Sequence, residues 1–310
     1  MLFFAALLNL ALLTSNKFPE SDKVDDKILI EALREYNIAA QPVDWRSPDV
    51  IWSDFDAVLV YSTWDYYEDY PKFLSTLQKI ESMNIKLFNY SSIIQWNACK
   101  KYLKDLEKLG LKTIESVYIS ANELDNLQSI LIEKGWDDCV IKPQISTSGY
   151  HTFRFNLSNI EHIQDYLKNF DEQFIIQPFA EEIIAEGEWS FVFFDREYIH
   201  CMLKKPLEGN FRVQKGIKIP IQPPEWMIKE AQHIIETINR PALQTRVDVI
   251  RRGNEIRIME IEMIEPSLYL RYFPGSEKRI ARKISEKLNL SIVKDDSTVL
   301  NASSRPQISL

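Results

Sequence analysis

Cysteine is scarce. Three residues, Cys99, Cys139 and Cys201, are spread over 310 positions. An odd, widely spaced set argues against a disulfide framework and suits a reducing compartment, so the chain reads as cytoplasmic. No Cys/His set has zinc spacing, and the neighbours His200 and Cys201 point to opposite faces of any strand that holds both. Basic charge is also in deficit. Lys and Arg number 37 against 45 Asp and Glu, a net charge of -8. That argues against a nucleic-acid partner, although a few local cations still suffice for an anionic nucleotide. No apolar run reaches the ~20 residues that a membrane helix needs, so no membrane partner is expected. The first 13 residues are apolar except Asn9. They lack the leading Lys or Arg and the clear cleavage site of a processed segment. They read as a few apolar residues ahead of a first buried strand at Leu10–Thr14. Internal repeats, a P-loop and a catalytic triad are all missing. The remainder, 45% hydrophobic and 26% charged, is the composition of an ordinary globular protein. It is enough chain for a sizeable core, in two domains or one large one.

The first third alternates strand and helix signals. A helix over Asp25–Tyr36 puts Ile28, Leu29, Ala32 and Leu33 on one face. Asp56–Ser62 reads as a buried strand, Tyr70–Met83 as a helix and Ile85–Phe88 as a short strand. This βαβ pattern predicts a small parallel sheet in an N-terminal domain of residues 1–95. A helix over Asn97–Leu109 follows, then strands at Glu115–Ile119 and Cys139–Lys142 with a helix over Asn122–Glu133 between them. Phe174–Gln177 is a strand ended by Pro178. Glu188–Leu203 is a strand pair around Asp195-Arg196, and Pro223–Asn239 a helix. Thr245–Ile250 and Glu255–Met263 form a hairpin, and a helix over Ser276–Leu288 closes the core. Residues 291–310 read as a loosely ordered tail.

The hairpin carries the strongest chemical signal. Glu260 and Glu262 are two apart and share a strand face, roughly 7 Å apart along the backbone. Two carboxylates inside an apolar strand are costly unless compensated, and a hard divalent cation would compensate them. The partner strand holds Arg246 and Asp248. A four-residue loop sets Asp248 opposite Arg257, on the wrong face. A three-residue loop sets Asp248 opposite Ile258 and Arg246 opposite Glu260, which unites all four charges. The three-residue form at Arg252-Gly253-Asn254 is therefore predicted. A solvated charged strand is the bland alternative, and the apolar flanks Ile258, Ile261, Met263 and Ile264 argue against it. Elsewhere, Lys142 ends the apolar strand Val140-Ile141-Lys142-Pro143 and precedes Ser146-Thr147-Ser148-Gly149. A lysine there can reach a phosphate, and a small-residue loop lets backbone N–H groups approach one. Alone, this is an ordinary strand-to-turn junction. Phe174–Phe179 can offer backbone groups to a base edge, and is equally well a plain buried strand. Lys204, Lys205 and Arg212 are further cations.

In order and spacing, these segments resemble the ATP-grasp superfamily, within it the glutathione synthetase-type proteins and the group of the cycloserine-forming O-ureido-serine cyclo-ligases. The carrying residues are Ser62-Thr63-Trp64-Asp65-Tyr66, Trp96-Asn97 with Lys100, Tyr102-Leu103, Lys142-Pro143 with Ser148-Gly149, Gln177-Pro178-Phe179, and Gly187-Glu188 with Ser190. They continue with His200 and Lys204, Phe211-Arg212-Val213-Gln214, Arg246-Val247-Asp248-Val249, and Glu260-Ile261-Glu262 with Glu265-Pro266-Ser267. The match covers about residues 10–288.

The resemblance implies an α/β and α+β, ATP-grasp fold. An N-terminal βαβ domain would precede two α+β lobes (about 96–180 and 181–290) that clasp ATP. Lys100 and Lys142 would contact phosphates, with Ser148 and Gly149 beside them. Gln177, Pro178 and Phe179 would form the adenine hinge, and Glu188 would lie near the ribose or site mouth. Asp248, Glu260 and Glu262 would hold Mg2+, and Arg246, Arg212 and Lys204 would offset charge in the reaction. Many relatives have Asn at the position of Glu262. Two departures stand out. Tyr61 occupies a position where relatives often have Arg, and Lys215-Gly216-Ile217-Lys218 replaces a glycine pair after the Arg-Val-Gln motif. The expected function is ATP-dependent carboxylate–amine or cyclising ligation through an acylphosphate on a small amino-acid-like substrate. A regulatory ATP-binding module on the same scaffold is the alternative. Trp64, Asp65 and Tyr66 are candidate substrate contacts. Oligomeric state is not legible, though a homodimer is the commonest symmetric assembly.

Overall fold

The computed structural model describes residues 7–302, with side-chain surroundings through Asn289. Its first sheet is parallel and is built from β1 (Leu8–Thr14), β2 (Ile38–Asp44), β3 (Ala57–Ser62) and β4 (Lys86–Phe88), in the order β2-β1-β3-β4. The central strands β1 and β3 are covered on both faces, which is why Leu10–Leu13 and Ala57–Val60 are unbroken apolar runs. Alternate residues feed opposite cores. Leu10, Leu12 and Leu59 meet Leu29, Ala32 and Leu33 of helix α1 (Val24–Arg34). Ala11, Leu13, Val58 and Val60 meet Phe73, Leu77 and Ile80 of α2 (Tyr70–Ser82).

Helices α3 (Ser91–Ala98) and α4 (Tyr102–Lys108) follow. One continuous helix over Asn97–Leu109 was the expectation. Cys99 is extended (φ -95°, ψ 118°). The break lets the Lys100 N–H donate to the Gln144 carbonyl at 2.8 Å and the Lys100 ammonium reach the Ser146 carbonyl at 2.7 Å. The second sheet is antiparallel: β5 (Val117–Ser120), β6 (Cys139–Pro143), β7 (Phe153–Phe155) and β8 (Gln173–Pro178), in the order β5-β8-β6-β7. Helices α5 (Leu127–Lys134) and α6 (Ile160–Leu167) pack on it.

After the short α7 (Glu182–Ala185), β9 (Glu188–Phe194), β10 (Glu197–Lys205), β11 (Ile217–Ile221), β12 (Gln244–Arg252) and β13 (Glu255–Glu262) form an antiparallel sheet in the order β11-β10-β9-β12-β13. One face of it packs on α4 and on α8 (Glu225–Ile238), whose Met227, Ala231, Ile234, Ile235 and Ile238 follow helical spacing. The outer edge of β13 is covered rather than left open. The Tyr102 hydroxyl accepts from the Ile261 N–H at 2.9 Å, and the Asn97 side chain bridges the Ile261 carbonyl and the Met263 N–H. The last helix, α9 (Ser276–Ala302), extends past the expected end at Leu288. Residues 1–6 and 303–310, the outer parts of the two terminal expectations, lie outside the described residues. Among the described residues, no helix is long and apolar enough to cross a membrane.

Candidate active site

Alternation in the third sheet separates oil from charge. Along β9, Trp189, Phe191 and Phe193 point into the helical core, so Glu188, Ser190 and Val192 face the other way. Opposed residues share a face. One row across the sheet therefore reads Lys218, Lys204, Glu188. The next reads Met202, Ser190, Asp248, Glu260. A third reads His200, Val192, Arg246, Glu262. Val192 and Met202 pack against the first sheet, and the charged positions line a cavity of about 680 Å³.

Asp248 does share its face with Glu260 and Glu262, but by a different route from the one expected. The hairpin loop has two residues, Gly253-Asn254, because Arg252 pairs with Glu255. Gly253 has φ +63°, as the first position of a II′-type turn requires. A β-bulge between Val249/Ile258 and Asp248/Glu260 inserts Met259 and restores the common face. Asp248 thus opposes Glu260, not Ile258, and Arg246 opposes Glu262, not Glu260.

The opposite wall comes from the second sheet. It brings Val140 and Lys142 from β6, Gln177 and Pro178 from the end of β8, Phe179, and the loop with Ser148 and Gly149. Ser148 (φ 56°) and Gly149 (φ 73°) turn that loop sharply. A Cβ on Gly149 would lie 3.3 Å from the Arg212 side chain, so the glycine admits Arg212, which bonds the Thr152 carbonyl. The Arg154 guanidinium lies over the Phe179 ring at 3.6 Å, and the Phe211 ring packs nearly perpendicular to it with centroids 6.1 Å apart. The Phe179 N–H donates to the Asp138 carbonyl at 2.8 Å, and the Gln177 amide donates to Ser116 Oγ at 3.0 Å. Lys100, Lys142, Ser148, Gly149, Gln177, Pro178, Phe179, Glu188, Lys204, Arg212, Arg246, Asp248, Glu260 and Glu262 all line the one cavity.

Its electrostatics are tightly coupled. Arg246 bonds Asp248 (2.9 Å) and pairs with Glu262; Lys204 pairs with Glu188 and lies 3.6 Å from Asp248; Lys100 lies 3.3 Å from Glu260. Burial works against the charge on Asp248, yet Arg246, Lys204 and the Ser190 hydroxyl bring it down to about 2. Burial likewise opposes ionisation of Glu260, which Lys100 and Lys142 hold below the usual carboxylate range. Glu188 and Glu262 go the other way, raised by burial despite Lys204 and Arg246. Lys142 has no hydrogen bond or ion pair among the described residues, and burial lowers it.

Residues 10–89 match the family described as D-cycloserine synthetase DcsG, N-terminal domain. The cycloserine biosynthesis protein DcsG of Streptomyces lavendulae is 25% identical over 285 residues, 84% of this chain and 92% of the relative. The crystal structure of D-cycloserine synthetase DcsG matches with TM-score 0.81 at 26% identity, over 90% of this chain and 99% of that one. The D-alanine–D-alanine ligase from Bacillus anthracis, also solved complexed with ATP, matches at TM-score 0.70 and 15% identity, over 93% and 99%. That last likeness speaks for the fold. Together these likenesses support an ATP-grasp ligase related to cycloserine synthetase.

The cavity also holds groups to which the sequence assigned no role. Glu265 is 1% exposed and lines the cavity; no N–H or hydroxyl of the described residues reaches its carboxylate oxygens, which lie within hydrogen-bond reach of the Glu262 carboxylate. Burial and then Glu262 raise it well above the usual carboxylate range. In the sequence it stands only among the residues that carry the resemblance, in Glu265-Pro266-Ser267, with no role assigned. Asp26 on α1 lines the cavity as well, and only its helical spacing beside Leu29 and Leu33 places it inward. Of the aromatic motif, Trp64 and Tyr66 line the cavity. Asp65 does not: it faces inward on the first sheet, accepting from Trp45 Nε1 (2.9 Å), Ser15 Oγ (2.5 Å) and Arg46. Its role is to brace the motif. His200 is likewise structural, with Nε2 on the Leu268 carbonyl at 2.7 Å and its ring stacked on Phe273.

Among the described residues, no three His, Cys, Asp or Glu side chains converge as a ready-made metal site. Arg246 pairs with Asp248 and Glu262 at once. Glu188, Asp248, Glu260 and Glu262 are matched by Lys100, Lys142, Lys204 and Arg246, and Glu265, raised well above the usual carboxylate range, lies against Glu262 with no cation of its own among the described residues. A hard divalent ion fits this oxygen-only, acid-rich set.

Proposed function

We propose that the chain ligates a carboxylate to an amine, between two substrates or within one, using ATP and magnesium and passing through an acylphosphate on a small amino-acid-like substrate. The observation that carries the reading is the unpaired Lys142 ammonium facing the Asp248–Glu260–Glu262 wall across one cavity. Lys142 is only partly buried, yet a partly desolvated ammonium without a partner gains by receiving an anion. Lys100 and the Ser148–Gly149 backbone would take further phosphate oxygens. Phe179, which packs against Arg154 and Phe211, would offer an apolar surface to the adenine, with Gln177 and Pro178 beside it. Glu188, on the same cavity, would accept from a ribose hydroxyl.

Asp248, Glu260 and Glu262 would hold the magnesium, which when bound supplies positive charge to phosphate oxygens. Arg246 would then move from the carboxylates to the charge that develops on the transferred phosphoryl group, assisted by Arg212 and Lys204. Positioning and electrostatics dominate such a transfer, and the acylphosphate then yields to attack by the amine with phosphate leaving. The test is ADP release with a panel of amino acids and small carboxylates. Lys142→Ala and Asp248→Asn should each lower kcat/KM by about 100-fold or more, the loss expected for one charged stabilising group. Undiminished turnover in both variants would sink the assignment.

A further inference from the structure

The cavity has a second end, bounded by α1, the end of β3 and the segment after β13. Its chemistry is opposite to that of the phosphate end. Asp26 is 5% exposed, and one of its oxygens accepts from Ser62 Oγ at 2.7 Å. The other, Oδ2, is buried with no hydrogen-bond partner. Tyr61 is also 5% exposed, and its hydroxyl too is buried without a partner. Both residues line the cavity. The nearby cations are committed elsewhere. Arg271 bonds the Asp25 carboxylate and the Asp22 carbonyl. The Lys23 ammonium donates to the Ser15 carbonyl at 3.2 Å and lies 3.6 Å from Glu20. Asp22 and Asp25 add negative charge to the same end, and Phe18 and Trp64, packed edge-to-face at 5.3 Å, close its wall.

An anion would be repelled here, and an apolar group would leave both polar atoms stranded. A cationic N–H donor satisfies them. We infer that this end of the cavity binds the ammonium group of the substrate, with Asp26 Oδ2 and the Tyr61 oxygen as acceptors, which makes Asp26 the residue that selects for an amine. The inference rests on the ligase reading, since the cationic end of the same cavity is taken there to hold the nucleotide. The substrate class becomes a small zwitterion, its carboxylate toward the phosphate end and its ammonium toward α1. Burial, which raises Asp26 despite Ser62 and Lys23, fits a site still missing its counter-charge.

The experiment is calorimetry on the full chain with magnesium and a non-hydrolysable ATP analogue bound, using two matched pairs: alanine against propionate, and serine against 3-hydroxypropionate. The amine-bearing member of at least one pair should bind about tenfold or more tighter, and Asp26→Asn should erase that preference. Tyr61→Phe, which removes only the hydroxyl, should narrow it. Equal binding, or no binding, of both members of both pairs by the wild-type protein with the analogue in place overturns the inference and leaves the ligase reading standing. So does a preference that survives in Asp26→Asn. Failure of the analogue to bind overturns both. The wild-type comparison decides the matter even if Asp26→Asn does not fold.

Discussion

Asp26 and His200 are buried titratable residues that answer acid in opposite ways. Burial lowers His200 to about 4 from an ordinary 6.5. Between those values the unfolded chain binds the proton and the folded one does not. The stability that His200 contributes is therefore present above pH 6.5 and lost as pH falls toward 4. Asp26 is raised to about 6 from 3.8, again mainly by burial. Its contribution is present below pH 3.8 and lost as pH rises through 6. Each window spans a little over two pH units, worth about 3 kcal/mol at most. Denaturant unfolding at pH 7 and pH 4 separates the two. Relative to wild type, Asp26→Asn should lose up to about 3 kcal/mol between pH 7 and pH 4, because it cannot take up the stabilising proton. His200→Gln should gain over the same interval. Parallel curves for all three proteins would refute the linkage. Neither residue was conspicuous as a titrating group in the sequence. Titration shifts come from burial and neighbours brought in over long separations, such as Leu268 for His200 and Ser62 for Asp26.

At the scale of elements, legibility followed burial. β1 and β3 were plain because both faces are covered and the sequence runs apolar without interruption. β2 was not, since Pro42 sits inside it; an edge position tolerates a residue that cannot donate to a ladder. β11, with Pro220 and no buried position, was hidden for the same reason, and β7 is only three residues long. The bulge at Met259 was invisible because its cause is two-sided. Ile258 and Ile261 both face the core while Glu260 and Glu262 face the cavity, and no regular strand can do both. The face of the acids was therefore read correctly from a wrong loop length. Two glycines test how this sheet is built. Gly253 has open space around a would-be Cβ, so Gly253→Ala should cost only the left-handed backbone penalty, about 1 kcal/mol, and leave turnover alone. A Cβ on Gly216 would land on the Lys205 carbonyl oxygen, so Gly216→Ala must push β11 away from β10. It should cost about 2 kcal/mol or more and lower turnover, because Arg212 and Lys218 ride on the displaced segment. Similar melting and turnover for both variants would contradict the geometry.

At the scale of the whole molecule, the cavity is the place where all three sheets meet. Tyr61 and Ser62 come from the first, Lys142 and Gln177 from the second, and Glu188, Lys204 and the acidic rows from the third. A ligand that fills it is held by chain segments far apart in sequence, and must stabilise them together. Mass action sets the size: at a nucleotide concentration 100 times its Kd, folding gains about 2.7 kcal/mol. In the ligase reading part of that gain depends on magnesium through Asp248. Asp248→Asn breaks a buried pairing with Arg246 and will be less stable by about 3 kcal/mol or more before any ligand is added. The informative quantity is thus each protein's own shift. Wild type should show a melting shift with the ATP analogue that grows when magnesium is added. Asp248→Asn should keep most of the magnesium-free shift, since Lys142 and Lys100 remain, and lose the increment. An equal magnesium increment in both proteins would remove Asp248 from the metal set, while loss of the whole shift would mean that the mutation had broken the third sheet rather than the site.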